Sequence, residues 1–141
     1  MKTSEKLLSM LMVFEGLRLT AYEDAAGVLT LGYGHTKGVR RGDKISEYYA
    51  KVLLKQDIAE FEEEVKKLGV AQTEGQLDAL VSFAFNLGIE RLKQSTLLKV
   101  ICNGGSKNQI TREFKRWVYA GGKKLPGLVK RREWEARRFF E

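Results

Sequence analysis

The chain has 141 residues, 43% of them hydrophobic and 30% charged, the balance of one globular domain or two small lobes sharing a core rather than of a disordered or fibrous chain. No apolar run approaches the roughly 20 residues a membrane-spanning helix needs, and one cysteine with one histidine excludes an internal disulfide and argues against a Cys/His zinc site. The formal charge of +7 is uneven: residues 1–106 carry equal numbers of acidic and basic groups, whereas residues 107–141 carry eleven basic groups against four acidic. Such a patch implies attraction to a polyanion, whether nucleic acid, anionic lipid or an anionic wall polymer, and charge alone does not choose among them.

In chain order, residues 1–14 superficially resemble a signal peptide, with Lys2 and Lys6 ahead of an apolar run from Leu7 to Phe14. No Ala-x-Ala-like cleavage site follows, and Glu5 dilutes the positive region. The stretch reads as a helix with Thr3 or Ser4 as N-cap, Leu7, Leu8, Leu11, Met12 and Phe14 largely inward, and Gly16 as terminator. Ala21–Gly27 then predicts a strand entering an Asp/Gly turn, and Val28–His35 a returning strand whose Gly32 and Gly34 mark a bulge or a close approach. Gly38–Asp43 is a basic loop. A long helix is expected from after Ser46 to about Leu68, the connector between two lobes. Thr73-x-x-Gln76 is a capping box opening a helix that is apolar on nearly every face, hence buried and central, and closed by Gly88. Ser95 caps a short helix to about Cys102, Ser106-x-x-Gln109 is a second capping box, Gly121–Lys124 is a turn, and Pro126 suits the first turn of a basic helix to about Phe140. The picture is α+β, a small sheet-containing lobe beside a mostly helical one, without internal repeats or a flexible linker.

Chemistry concentrates between Phe14 and Thr36. Glu15 falls at the C-terminal end of an apolar helix, where the negative end of the helix dipole and the apolar neighbours disfavour a charged carboxylate, the condition a general acid needs. Asp24 lies in a polar turn whose backbone N–H groups can keep it ionised, and Thr30, six residues on, offers a hydroxyl that would hold a water beside it. Two carboxyl groups in unlike environments are the equipment of a glycoside hydrolase. The same residues also suit a purely structural reading, in which Glu15 pairs with a surface arginine and Asp24 caps a turn.

The particular residues go further. Glu15-Gly-Leu-Arg-Leu, Tyr22-Glu-Asp24 and Gly27-Val-Leu-Thr30-Leu-Gly-Tyr-Gly-His35 closely resemble the signature of the phage-type lysozymes, glycoside hydrolase family 24. The resemblance continues through Gln76-Leu-Asp-Ala-Leu-Val-Ser-Phe-Ala-Phe-Asn-Leu-Gly88, Trp117-Val-Tyr-Ala-Gly-Gly-Lys and Leu125-Pro-Gly-Leu-Val-Lys-Arg-Arg-Glu133, and so spans nearly the whole chain. It implies a two-lobed lysozyme-like α+β fold of a single domain, 1–141, with a hairpin lobe at 13–58 and a helical lobe formed by 1–12 and 59–141. It also implies cleavage of the β-1,4 bond between N-acetylmuramic acid and N-acetylglucosamine in peptidoglycan, with Glu15 as general acid and Asp24 and Thr30 positioning or activating the water. No metal or organic cofactor is implied. Only 14 residues precede Glu15, too few for the export-and-anchor helix of other members. The expectation is therefore a monomer held in the host bacterial cytoplasm until a separate holin lets it reach the wall.

Around that centre, Tyr33, His35 and Asn86 are candidate substrate contacts. His35 suits a structural role better, with Asp57 as its carboxylate partner, and Asn86 is equally placed to bind an acetamido group or to cap its helix. Cys102 is expected to be a small packed residue. Arg131 and Arg132 could contact anionic peptide stems or tune Glu15 through a network, but are expected on a solvated helix face with Glu133 and Glu135 as partners, the helix as a whole being biased toward wall attraction. Two other classes compete: a basic nucleic-acid-binding module and a non-catalytic wall-binding module. The chain has neither zinc-finger spacing nor an aromatic RNA-binding motif, and wall binding alone has no need of Glu15, Asp24 and Thr30 together.

Overall fold

In the computed structural model, which describes residues 1–141, the chain divides into two compact units: Leu8–Glu60, the hairpin unit, and Met1–Leu7 with Phe61–Glu141, the helical unit. The chain passes between them within its first helix and again within its longest one.

The first helix, α1 (Glu5–Glu15), begins where Ser4 Oγ accepts the Leu7 N–H at 3.3 Å, so Ser4 is the cap. Leu7, Leu8 and Leu11 are buried, Met12 and Phe14 half-buried. Strand β1 (Arg18–Glu23) runs antiparallel to β2 (Leu29–Gly32), with Tyr22 opposite Thr30 and Glu23 opposite Leu29 and an irregular register between Arg18 and Tyr22. The outer edge of β1 is closed by the following loop, Ala21 N–H bonding Asp43 O at 2.8 Å and Ile45 N–H bonding Leu19 O at 2.9 Å. The returning strand stops at Gly32 rather than reaching His35. Leu31 and His35 exchange backbone hydrogen bonds of 2.8 and 2.9 Å, which folds residues 32–34 into a tight loop. Helix α2 (Glu47–Lys67) starts after Ser46, whose Oγ accepts the Tyr49 N–H at 3.1 Å. Its residues Ala50, Leu54 and Ile58 are buried, as are Leu31 and Tyr33 of the hairpin unit.

The helical unit is built on α3 (Glu74–Leu87), buried over Leu77–Ala84. Thr73 caps it as its sequence suggests, but Gln76 reaches one residue further back than a capping box requires and accepts the Gln72 N–H at 2.9 Å. Helix α4 (Ile89–Gln94), which the sequence pattern does not announce, precedes α5 (Thr96–Cys102) and α6 (Lys107–Lys115), the latter with the full Ser106–Gln109 capping box. Where a turn is expected, a minimal hairpin of β3 (Tyr119–Ala120) and β4 (Lys123–Lys124) leads to α7 (Pro126–Phe139). Helix α7 packs on α3 and α6. Phe83 meets Phe114 and Trp117 edge-on, and Phe114 meets Phe139, so the core is aromatic where three elements converge. The approach of α7 to α3 is close enough that a side chain at Gly75 would strike the Arg138 carbonyl, at 2.3 Å.

Candidate active site

Glu15 is the last residue of α1 and is half-buried. Its carboxyl lies against the tight loop after β2: a Cβ built on Gly34 would sit 2.7 Å from Glu15 Oε1. Gly34 also has φ +75°, a conformation L side chains rarely adopt. Glycine is thus required there twice, once for the turn and once to make room for the carboxyl group. That pairing of Gly34 with Glu15 is not legible in the sequence, where Gly34 signals only a bulge or a close approach.

Asp24 lies at the mouth of the β1–β2 turn and is exposed. Its Oδ1 accepts the N–H groups of Ala26 and Val28, both at 2.9 Å, while its backbone is tied to Val28 O and Gly27 N. The carboxylate is therefore oriented by the turn itself, with Oδ2 directed away from these bonds. Thr30, across from Tyr22, is only 4% exposed, and its hydroxyl donates to Val28 O at 3.0 Å. Val28 thus links the two: its N–H holds Asp24 and its C=O takes the Thr30 proton, so that the lone pairs of Thr30 Oγ1 remain available as acceptors.

His35 is braced at both ring nitrogens, Nδ1 to Asp57 Oδ2 at 2.8 Å and Nε2 to the Lys37 carbonyl at 3.0 Å. This anchors the loop carrying Gly34 to α2. Burial pushes the Asp57 carboxyl above its ordinary range, against the opposing hydrogen bond and charge of His35. The ring of Tyr33 is 5% exposed and packs inside the hairpin unit.

In the helical unit, Asn86 is exposed, and its Oδ1 accepts a hydrogen bond from Arg132. Gly88 closes α3, its N–H bonding Ala84 O at 2.7 Å, so Asn86 is not the helix cap. Arg131 and Arg132 are not on a solvated face. They are 4% and 0% exposed, on either side of Glu135, which is itself wholly buried. Arg132 Nη1 donates to Glu135 Oε1 at 2.5 Å, Arg131 Nε to Oε2 at 3.3 Å, and Ser82 Oγ to the same Oε2 at 2.6 Å. Glu135 is the partner that helical spacing suggests, but the pair faces α3 rather than water. Arg138 is buried too, donating to Asp78 Oδ2 at 2.9 Å and to Glu74 at 3.0 Å. Cys102, expected to be packed, is exposed.

A cavity of about 490 Å³ in the helical unit, lined among others by Arg91, Gln94, Thr96 and Trp117, has no signal in the sequence. Trp117 is held edge-on against Phe83 at 5.4 Å, while Arg116, also lining the cavity, pairs with Glu113 at 3.0 Å. No spacing rule links these residues, because they come from α4, α5 and the end of α6.

Comparison with solved structures places this architecture plainly. The muramidase domain of SpmX from Asticaccaulis excentricus superposes with a TM-score of 0.89 at 33% identity, covering 99% of this chain and 98% of that one. A helix ending in a glutamate, a short hairpin and a helical unit around a buried central helix thus make this a lysozyme-like α+β protein. The phage lysozyme family model matches residues 12–135, and an endolysin of Acyrthosiphon pisum secondary endosymbiont phage 1 is 42% identical over 96% of this chain and 95% of its own length. The chain belongs to the phage lysozyme family. The endolysin of Bacillus phage B103 is 43% identical over 99% of this chain, which spans 54% of that longer protein.

Proposed function

We propose that this glycoside hydrolase is an endolysin that cleaves the β-1,4 bond between N-acetylmuramic acid and N-acetylglucosamine in bacterial peptidoglycan, with Glu15, Asp24 and Thr30 as its catalytic residues. The observation that carries the assignment of roles is the contrast between the two carboxyl groups. Glu15 ends an apolar helix against Gly34, and Asp24 is oriented by two backbone N–H groups in an exposed turn.

Glu15 donates its proton to the glycosidic oxygen as the bond to the anomeric carbon lengthens and positive charge develops on the sugar ring. A water on the opposite face donates one hydrogen to Asp24 Oδ2 and the other to Thr30 Oγ1, whose own hydrogen is committed to Val28 O. This arrangement turns the water's lone pair toward the anomeric carbon. Asp24 takes the proton as the new C–O bond forms, and the configuration inverts. Tyr33 and His35 act through the loop they brace, and Asn86 is the candidate substrate contact of the helical unit.

The protein works as a monomer, stays in the host cytoplasm until a holin opens the membrane, and then acts on the wall. Supporting its retention of the N-terminal segment, α1 both buries Leu7, Leu8 and Leu11 and ends in Glu15. No helix is long and apolar enough to cross a membrane.

The test is the rate of turbidity loss of purified peptidoglycan. Glu15→Gln should lose on the order of 10²–10⁴-fold in rate while melting as the wild type does. Equal clearing by both would move the acid elsewhere. NMR of the first-formed product should show the α-anomer, and a β-anomer would replace the water step by a covalent one.

A further inference from the structure

We infer that Tyr22, pinned by Arg18, is a positioning residue for the water step: its ring covers Thr30 and keeps the Thr30 hydroxyl turned to Val28 O. The inference rests on the proposed role of Thr30 and deepens it, and every group it uses belongs to the hairpin unit.

Tyr22 and Thr30 are paired directly across β1 and β2. Residues so opposed project from the same face, with their Cβ atoms about 5 Å apart. A two-stranded sheet has no third strand to shelter its side chains, yet Thr30 is only 4% exposed, and Tyr22 opposite it is half-buried. The Tyr22 ring is the cover that the sheet itself provides.

The ring is also held in place. Arg18 and Tyr22 stand four residues apart on β1, a separation of about 13 Å in a regular strand. Their partners, Gly32 and Thr30, are only two apart on β2. The irregular register between them absorbs the difference, and this contraction brings the Arg18 guanidinium to 4.2 Å over the centre of the Tyr22 ring. Cation–π attraction then favours one orientation of the ring.

The consequence falls on Thr30. A hydroxyl rotates to suit its surroundings, and in open water its hydrogen would be shared between Val28 O and solvent. Beneath the ring the hydrogen stays on Val28 O, at 3.0 Å, and the lone pairs face the one water that Asp24 also holds. Tyr22 acts through Thr30 and not on the sugar, so its loss belongs in kcat rather than in KM.

The experiment is a double-mutant cycle on soluble, uncrosslinked peptidoglycan strands. It records kcat, KM and melting temperature for the wild type, Tyr22→Ala, Thr30→Ala and the double variant. Tyr22→Ala should lower kcat by roughly tenfold with KM little changed, and should cost nothing further once Thr30 is already alanine. Tyr22→Phe, which keeps the ring, should restore most of the loss. Arg18→Met keeps the stem without the charge and should lower kcat by about threefold, the scale of an exposed cation–π contact. If Tyr22→Ala melts below the assay temperature, the same cycle is run with Arg18→Met. Additive losses, a rise in KM at unchanged kcat, or a Tyr22→Phe variant as slow as Tyr22→Ala overturn the inference and leave the lysozyme reading standing. A Thr30→Ala variant as fast as the wild type overturns the role of Thr30, and this inference with it.

Discussion

The β1–β2 turn and the contact of α3 with α7 both orient polar side chains, by opposite means. In the turn, the bonds from Asp24 and Thr30 reach two to four residues along the chain, and Asp24 keeps its geometry in contact with water while Thr30 lies buried on the returning strand. Between α3 and α7, Ser82 reaches Glu135 across 53 residues and Arg138 reaches Asp78 across 60, in the dry interior. Short-range bonds carry little loop-closure entropy and survive exposure, because the turn supplies the geometry. Long-range buried charges are different. They hold together only when every partner is present, since removing one leaves the others desolvated and unpaired.

The comparison breaks most visibly at Glu135. Glu135→Ala would leave the guanidinium groups of Arg131 and Arg132 buried without that carboxylate, and chemical denaturation should record a loss of about 3–5 kcal/mol. A loss under about 1 kcal/mol would mean that solvent enters this core and that the contrast with the turn is false.

Gly34→Ala should be milder for the fold and worse for activity. The φ of +75° and the contact with Glu15 Oε1 together should cost about 1–3 kcal/mol of stability. Clearing of peptidoglycan, measured well below the melting temperature, should fall further than that stability loss explains. Unchanged clearing would separate Gly34 from the positioning of Glu15.

Glu62 sharpens the comparison through pH. Burial by itself raises its carboxyl, but the Thr3 N–H at 2.6 Å and the neighbouring Lys66 outweigh it and hold Glu62 below its ordinary value of 4.5. A carboxyl lowered by folding stabilises the fold above that ordinary value, and the contribution disappears as pH falls through the folded one. Glu62→Gln should therefore melt lower at neutral pH, by the equivalent of about 1–2 kcal/mol. Its melting temperature should converge on that of the wild type as the pH is taken below 4.5. A gap constant with pH would show that charge has no part in it. At the bottom of the scale, the exposed Lys93–Glu90 pair at 3.3 Å predicts that Lys93→Ala changes stability by less than about 0.5 kcal/mol.

Much of the architecture is legible in the sequence, for reasons that differ by element. Ser4, Ser46, Thr73, Ser95 and Ser106 act where capping chemistry puts them, because a hydroxyl two or three residues from an orphan N–H needs no tertiary help. The buried face of α3 was equally plain from its unbroken apolar run. Helix α4 was missed because six residues, Ile89–Gln94, carry one buried side chain and no stripe to read. The hairpin turn around Asp24 was legible, whereas the strand boundary at Gly32 was not, since only the Leu31–His35 exchange shows where the ladder ends.

The basic C-terminal segment shows the limit most clearly. Arg131, Arg132 and Glu135 have the spacing of a helical ion pair, and that spacing is the same on a wet face as on a buried one. Which face turns inward depends on α3 lying against α7, and three arginines that count toward the chain's positive charge are consequently enclosed and partnered. Sequence by itself determined the family, the helix starts and the local turn that orients Asp24, because those depend on neighbours a few residues away. The burial of the arginines, the pairing of Asn86 with Arg132 and the fit of Glu15 against Gly34 were decided only by the tertiary structure, since each requires groups distant in the chain to be brought within hydrogen-bonding or van der Waals reach.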